Sequence, residues 1–174
     1  MKPFNDDVLA YTEGLKDGKI QRAYRGIMEF MSSLRSRLEV THPDYVVSAL
    51  YAGYMDMTYF AFTPSLLKEK RLKIAIVYLH PDHRFEVWLG AINRSVQKET
   101  FKQLEGKDSL GYKRGEIKPG EDAILSSILV DHPDFDAKEM LESLIEEGTL
   151  KFIQDVVRIV NSAFLDEQGS VLCR

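Results

Sequence analysis

Two carboxylates in this chain stand among large apolar side chains. Asp56 lies in Tyr54-Met55-Asp56-Met57-Thr58-Tyr59, and Glu86 lies in Phe85-Glu86-Val87-Trp88-Leu89. A charge in such company has to be exposed by strand alternation, held by hydrogen bonds, or used. Two carboxylates in a cleft can move protons on a substrate or hold a divalent cation through oxygen. On an extended segment Arg84, Glu86 and Trp88 share one face, while Phe85, Val87 and Leu89 take the other. A plainer account is one wet sheet face on which Asp56, Lys73, Arg84 and Glu86 pair across strands. Both accounts gather Tyr54, Asp56, Lys73, Arg84, Glu86 and Trp88 on one side of a sheet, as a candidate pocket.

The cation reading has a template. Nucleases of the PD-(D/E)xK type hold a cation with an Asp and with the Glu of a Glu-x-Lys on the adjoining strand. Asp56 and Glu86 would fill those places, but Trp88 stands where the lysine belongs and no proline precedes Asp56. Lys73 would have to substitute. The tripeptide His-Pro-Asp occurs at 42–44, 80–82 and 132–134. It marks J-domain cochaperones when set between two antiparallel helices; here the flanking patterns make it a turn each time. The four histidines show neither His-x-His nor i, i+4 spacing, so the sequence proposes no metal site. Tyr45, Tyr51, Tyr54, Tyr59, Tyr78, Phe60, Phe62 and Trp88 crowd the strand-like segments. They serve core packing, or a small amphipathic ligand if some share a concave face with the charges. The glycine-aromatic-basic signature of RNA-recognition folds is missing, as are a phosphate loop and a Gly-x-Ser-x-Gly elbow. Cys173, in a tail after Gly169, is a poor nucleophile candidate.

The elements that must position these residues follow from periodicity. Asn5 and Asp6 can cap a short helix through Lys16, stopped by Gly18. Ile20, Tyr24, Ile27, Met31, Leu34 and Leu38 form one helical stripe ending before His42-Pro43. Residues 45–63 are β-branched and aromatic, and Gly53 divides them into strands near 46–52 and 56–62. Strands over 72–79 and 84–92 follow, joined by the turn at 80–83 and therefore antiparallel. Asn93 or Ser95 caps a helix through Leu104, and 106–120 reads as loop. Ile124, Leu125, Ile128 and Leu129 suit helical spacing or a buried strand. Asp136 and Glu139 open a helix ending at Gly148, and Thr149 starts a last one with Phe152, Val156, Ile159, Val160 and Phe164 inward. Helices, then three to four strands over about 45–92, then helices predict an α+β fold: an antiparallel meander packed against N- and C-terminal helices, as a single domain over 1–174.

Bulk properties narrow the function classes. The net charge of −4 disfavours nucleic acid as the main partner. One cysteine precludes an internal disulfide and fits a reducing, cytoplasmic setting. The N-terminus has no apolar signal core, and no apolar run is long enough for a bilayer.

The segments IQRAY (20–24), YMDMTYFAF (54–62), LKIAIV (72–77), RFEVWL (84–89) and VDHPDF (130–135) are similar to those of a family of small uncharacterised bacterial cytosolic proteins. The resemblance implies an intracellular bacterial protein of one domain and carries no activity, cofactor or catalytic residue with it. The expectation is a cytoplasmic small-ligand-binding or protein-interaction module. The alternative is a cation-dependent hydrolase or nuclease-like enzyme using Asp56 and Glu86. A homodimer would form through an unpaired edge of the meander.

Overall fold

The computed structural model describes residues 3–118, 120 and 122–171, with side chains through Ala163. In chain order the elements are α1 (Phe4–Leu15), α2 (Lys19–Thr41), β1 (Tyr45–Val47), β2 (Met57–Pro64), α3 (Ser65–Glu69) and β3 (Leu72–Leu79). They continue as β4 (Arg84–Ala91), α4 (Arg94–Gln103), β5 (Lys113–Arg114), β6 (Leu125–Asp131) and α5 (Lys138–Val171). The α+β reading holds, with antiparallel strands and flanking helices. The sheet is larger than a meander of three or four strands: six strands lie in the order β1-β2-β3-β4-β6-β5, every pair antiparallel.

Strand alternation sorts the side chains. Thr58, Phe60 and Phe62 of β2, Leu72, Ile74, Ile76 and Tyr78 of β3, and Phe85, Val87 and Leu89 of β4 are all buried on one face. The apolar residues join one core with Phe30, Met31, Leu34 and Leu38 of α2 and with Leu141, Ile145, Phe152 and Val156 of α5. Burying a Phe, Leu or Ile from water contributes about 1.5–3 kcal/mol, so this one-sided core dominates stability. The strand residues between them, including Tyr59, Ala75, Val77, Glu86 and Trp88, face away from α2 and α5.

The structure changes three expectations and settles a fourth point. The segment over 46–52 is a strand only to Val47. Ser48 still pairs with Ala61, donating its N–H to the Ala61 carbonyl, and Tyr51 with Tyr59. Ala49 and Leu50 thus stand opposite Phe60 alone, a bulge that interrupts the ladder. Second, of the two alternatives for this segment, 125–131 is the strand. Its apolar spacing also suits a helix because the register shifts beside it: Phe85 pairs with Val130 but Glu86 with Ile128, leaving Leu129 over. Third, Gly148 and Thr149 do not divide two helices. α5 runs through them, and Gly148 lies close against β6: a Cβ there would be 2.8 Å from Leu129 Cδ2 and would displace the end of that side chain. Thr149 is buried, and its hydroxyl meets no hydrogen-bond partner among the described residues. Fourth, the edges of the three-stranded meander are taken, β4 by β6 and β2 by β1 and Tyr51, so the open edges of the sheet lie on β1, on β5 and on β6 beyond Ser126. Asn93 caps α4 as expected, accepting the Val96 N–H at 3.0 Å.

The helical layer is clasped by charge. Arg37 of α2 donates to Glu142 Oε2 at 3.0 Å and to Glu146 Oε2 at 2.6 Å, both on α5. Ser33 donates to Glu142 Oε1 at 3.3 Å, and His42 Nε2 lies 2.9 Å from Glu146 Oε1. Glu142 is buried, so its pairing is a requirement of the packing rather than decoration. The hydrogen bond that Arg37 donates to Glu142 is the main reason its guanidinium is held above its ordinary range. Glu142→Ala should destabilise the fold by about 2–3 kcal/mol, at or just below the range for breaking a buried pair because Glu146 still holds Arg37. Urea denaturation checks this, and a loss under 0.5 kcal/mol, the scale of a surface change, would show the clasp to be incidental.

Candidate functional site

Arg84, Glu86 and Trp88 do share a face, at positions i, i+2 and i+4 of β4. Glu86 binds both neighbours along its own strand. Its Oε2 accepts the Trp88 indole N–H at 2.7 Å, and its Oε1 lies 2.9 Å from Arg84 Nε. The Nε–H does not point along that line in hydrogen-bond geometry, so the Arg84 contact is Coulombic pairing. Asp82 adds a looser contact to Arg84 at 3.7 Å. The charges therefore pair along one strand rather than across strands. The result is an indole whose orientation is fixed by a neutralised carboxylate.

Across the sheet from Trp88 the same face dips. Its floor is Ala75, Val77 and Gly90, and its walls are Met57, Tyr59, Trp88, Lys73 and Asp122. The dip exists because small residues meet in register: Ala75 pairs with both Ala61 and Trp88, and Lys73 pairs with Gly90. The Lys73 stem lies over Gly90, where a Cβ would be 3.3 Å from Lys73 Cε. Tyr59 is braced from behind by Tyr51, with ring centroids 4.9 Å apart. Asp122 is paired with Arg94 at 3.3 Å, whereas Lys73 makes no ion pair with a described residue. Free volume in the recess is about 30 Å³, room for roughly one water. A ligand would lie across this surface rather than sink into it.

Tyr54 and Asp56 belong elsewhere. They occupy the turn before β2, not the strand. Asp56 Oδ1 accepts the Tyr54 N–H at 2.9 Å, and this bond with a second from Met57 draws the carboxyl below its usual range. Gly53 makes the turn possible: φ is +70°, and a Cβ would fall 1.9 Å from the Met57 carbonyl oxygen. Asp56 is in register with His80, two strands from β4 and three residues from the level of Glu86. Strand spacings place their Cα atoms roughly 14 Å apart. Both Glu86 oxygens are occupied besides, so the structure does not bring Asp56 and Glu86 together as a shared cation site. Among the described residues no group of three or more His, Cys, Asp or Glu is placed to hold a metal.

Sequence reasoning missed Met57, Tyr59, Ala75, Val77, Gly90 and Asp122. The first five were recoverable in principle, since each has the right parity, but their convergence depends on the register between strands. The parity of Asp56 misled because the turn breaks the count one residue before β2 begins.

The three His-Pro-Asp tripeptides are all connections, and two of them bring histidines together at one end of the sheet. His83 and His132 have ring centroids 5.7 Å apart, and Tyr78 hydroxyl lies 3.0 Å from His83 Nδ1. His80 stacks on Tyr24 at 5.8 Å, and its Nε2 is 2.9 Å from the buried Thr58 hydroxyl.

The family model described as Domain of unknown function (DUF7000) matches residues 4–160, and the chain belongs to that family. No curated protein and no solved structure matches it. No helix among the described residues is long and apolar enough to cross a membrane. Cys173 lies outside the described residues.

Burial lowers the His80 pKa, only partly offset by Asp56. The unfolded chain thus takes up this proton at a higher pH than the folded one, so the His80 contribution is present above about 6.5 and lost as pH falls through the folded value. Urea midpoints at pH 7.5 and 5.5 should therefore differ less in His80→Gln than in the parent chain. An equal difference in both would remove His80 from the acid response.

Proposed function

We propose that the chain is a binding module whose recessed sheet face takes a small amphipathic molecule, with a planar apolar body and an anionic group. The observation that carries this is the pre-set Trp88 indole. Its N–H is engaged by Glu86, whose charge Arg84 neutralises, and it stands beside a small-residue floor opposite Tyr59. A ring whose orientation is already fixed loses little freedom when it binds, which raises affinity without further contacts. Lys73 at the rim supplies the cation for an anionic group, while the charge of Asp122 is taken by Arg94. The setting we infer is the bacterial cytoplasm, with the chain as one domain. The resemblance of the YMDMTYFAF and RFEVWL segments to bacterial cytosolic proteins and the single cysteine support it.

Trp88 is the only tryptophan in the sequence, so its fluorescence reports on this face directly. Titration with aromatic carboxylates and nucleoside monophosphates should shift its emission for at least one class. With that compound at a hundredfold its Kd, melting should rise by about 5 °C or more. Tyr59→Ala and Lys73→Gln should each weaken the response at least tenfold, and Glu86→Ala should weaken it by freeing the indole. Silence in both readouts across the panel would sink the ligand reading. A melting shift with Mg²⁺, Mn²⁺ or Zn²⁺ that disappears in Glu86→Gln would point to the cation-dependent hydrolase instead.

A further inference from the structure

Among the described residues α1 touches α2 but contributes nothing to the core. None of its residues is buried, and Phe4, Leu9 and Tyr11 are 79%, 66% and 61% exposed. Phe4, Val8, Tyr11 and Leu15 recur at i, i+4, i+7 and i+11, the spacing of a helix seam. Twelve residues that include Asn, two Asp, Thr and Gly are too few and too weakly helical to hold a helix by propensity alone. The stripe therefore needs a cover. Its C-terminal end opens into a groove of about 420 Å³, lined by Tyr11, Leu15, Ile20, Tyr24, Met28 and Met55, with Arg25 on its border.

We infer that the cover is a second copy of the chain, with the two α1 helices antiparallel across a two-fold axis and Phe4 of each copy in the groove of the other. Two observations select this occupant. The first is charge. Asp7 flanks the stripe near the N-terminus of α1, Arg25 borders the groove, and neither makes an ion pair with a described residue. Antiparallel pairing brings Asp7 of each copy toward Arg25 of the other, so the surface complements itself, as a two-fold contact requires. The second is area. The exposed parts of Phe4, Val8, Tyr11, Ile20, Tyr54 and Met55 amount to roughly 600 Å² of largely apolar surface, at ~150–250 Å² for each aromatic side chain. That approaches the ~800 Å² per partner of a stable interface. The acids of α1, Asp6, Asp7 and Glu13, oppose an anionic bilayer as the alternative cover.

Light scattering after size exclusion of the full chain at tens of micromolar should give about twice the 19.9 kDa chain mass. Val8→Glu should give the single mass with a far-UV helical signal reduced by no more than the 12 residues of α1, none of which is part of the core. Asp7→Arg and Arg25→Asp should each weaken association at least tenfold, and the two together in one chain should restore it. A parent chain at the single mass overturns the inference, whether or not it then sediments with phosphatidylglycerol vesicles. So does a dimer that Val8→Glu leaves intact, or a charge exchange that restores nothing.

Discussion

Cover on one side only is the constraint from which the rest follows. α2 and α5 give β2, β3 and β4 a dry face, and every second strand residue is committed to it. The residues between are left to solve their burial among themselves. Val77 is wholly buried on that second face, and Ala75 nearly so, because neighbouring Tyr, Trp, Glu and Arg side chains close over them. The helices stay in place through a largely apolar core and through the Arg37 clasp, where two carboxylates of α5 share one guanidinium of α2. Removing a partner there leaves a charge without compensation, so the clasp fixes the relative setting of the two helices more than it adds net stability.

The same logic governs the charges that looked most promising for chemistry. Each of them already has a structural occupation. Glu86 orients an indole and neutralises a guanidinium, and Asp56 holds a tight turn through backbone amides. Carboxylates engaged in this way are tools for positioning. What they position, an aromatic plate beside a small-residue floor and a lysine, suits recognition better than proton transfer.

Much of this was readable from residue order. The helical stripe ending at Leu38, the two strands around the His80-Pro81-Asp82 turn, the Asn93 cap and the common face of Arg84, Glu86 and Trp88 all follow from local periodicity and turn chemistry. The failures share a different cause. The bulge at Ala49 and Leu50, the leftover Leu129 and the approach of Gly148 to Leu129 are set by the partner strand or helix, and nothing in the local sequence announces a partner. Gly148 looks like a helix stop because glycine serves two purposes, freedom at a terminus and thinness at a contact, and only the neighbour says which. The recess was illegible for a related reason: Ala75, Gly90 and Trp88 come from two strands, and it is their registration that leaves the gap.

The sheet ends in very short strands, three residues in β1 and two in β5. An exposed backbone ladder invites other chains to add to it, the more so when an apolar face lies beside it. β1 offers too few unpaired amides and carbonyls to template such growth, but β5 covers only Leu125 and Ser126 of β6 and leaves residues 127–131 without a described strand on their outer side. A strand adding to this sheet would find a longer ladder on the β6 side than on the β1 side.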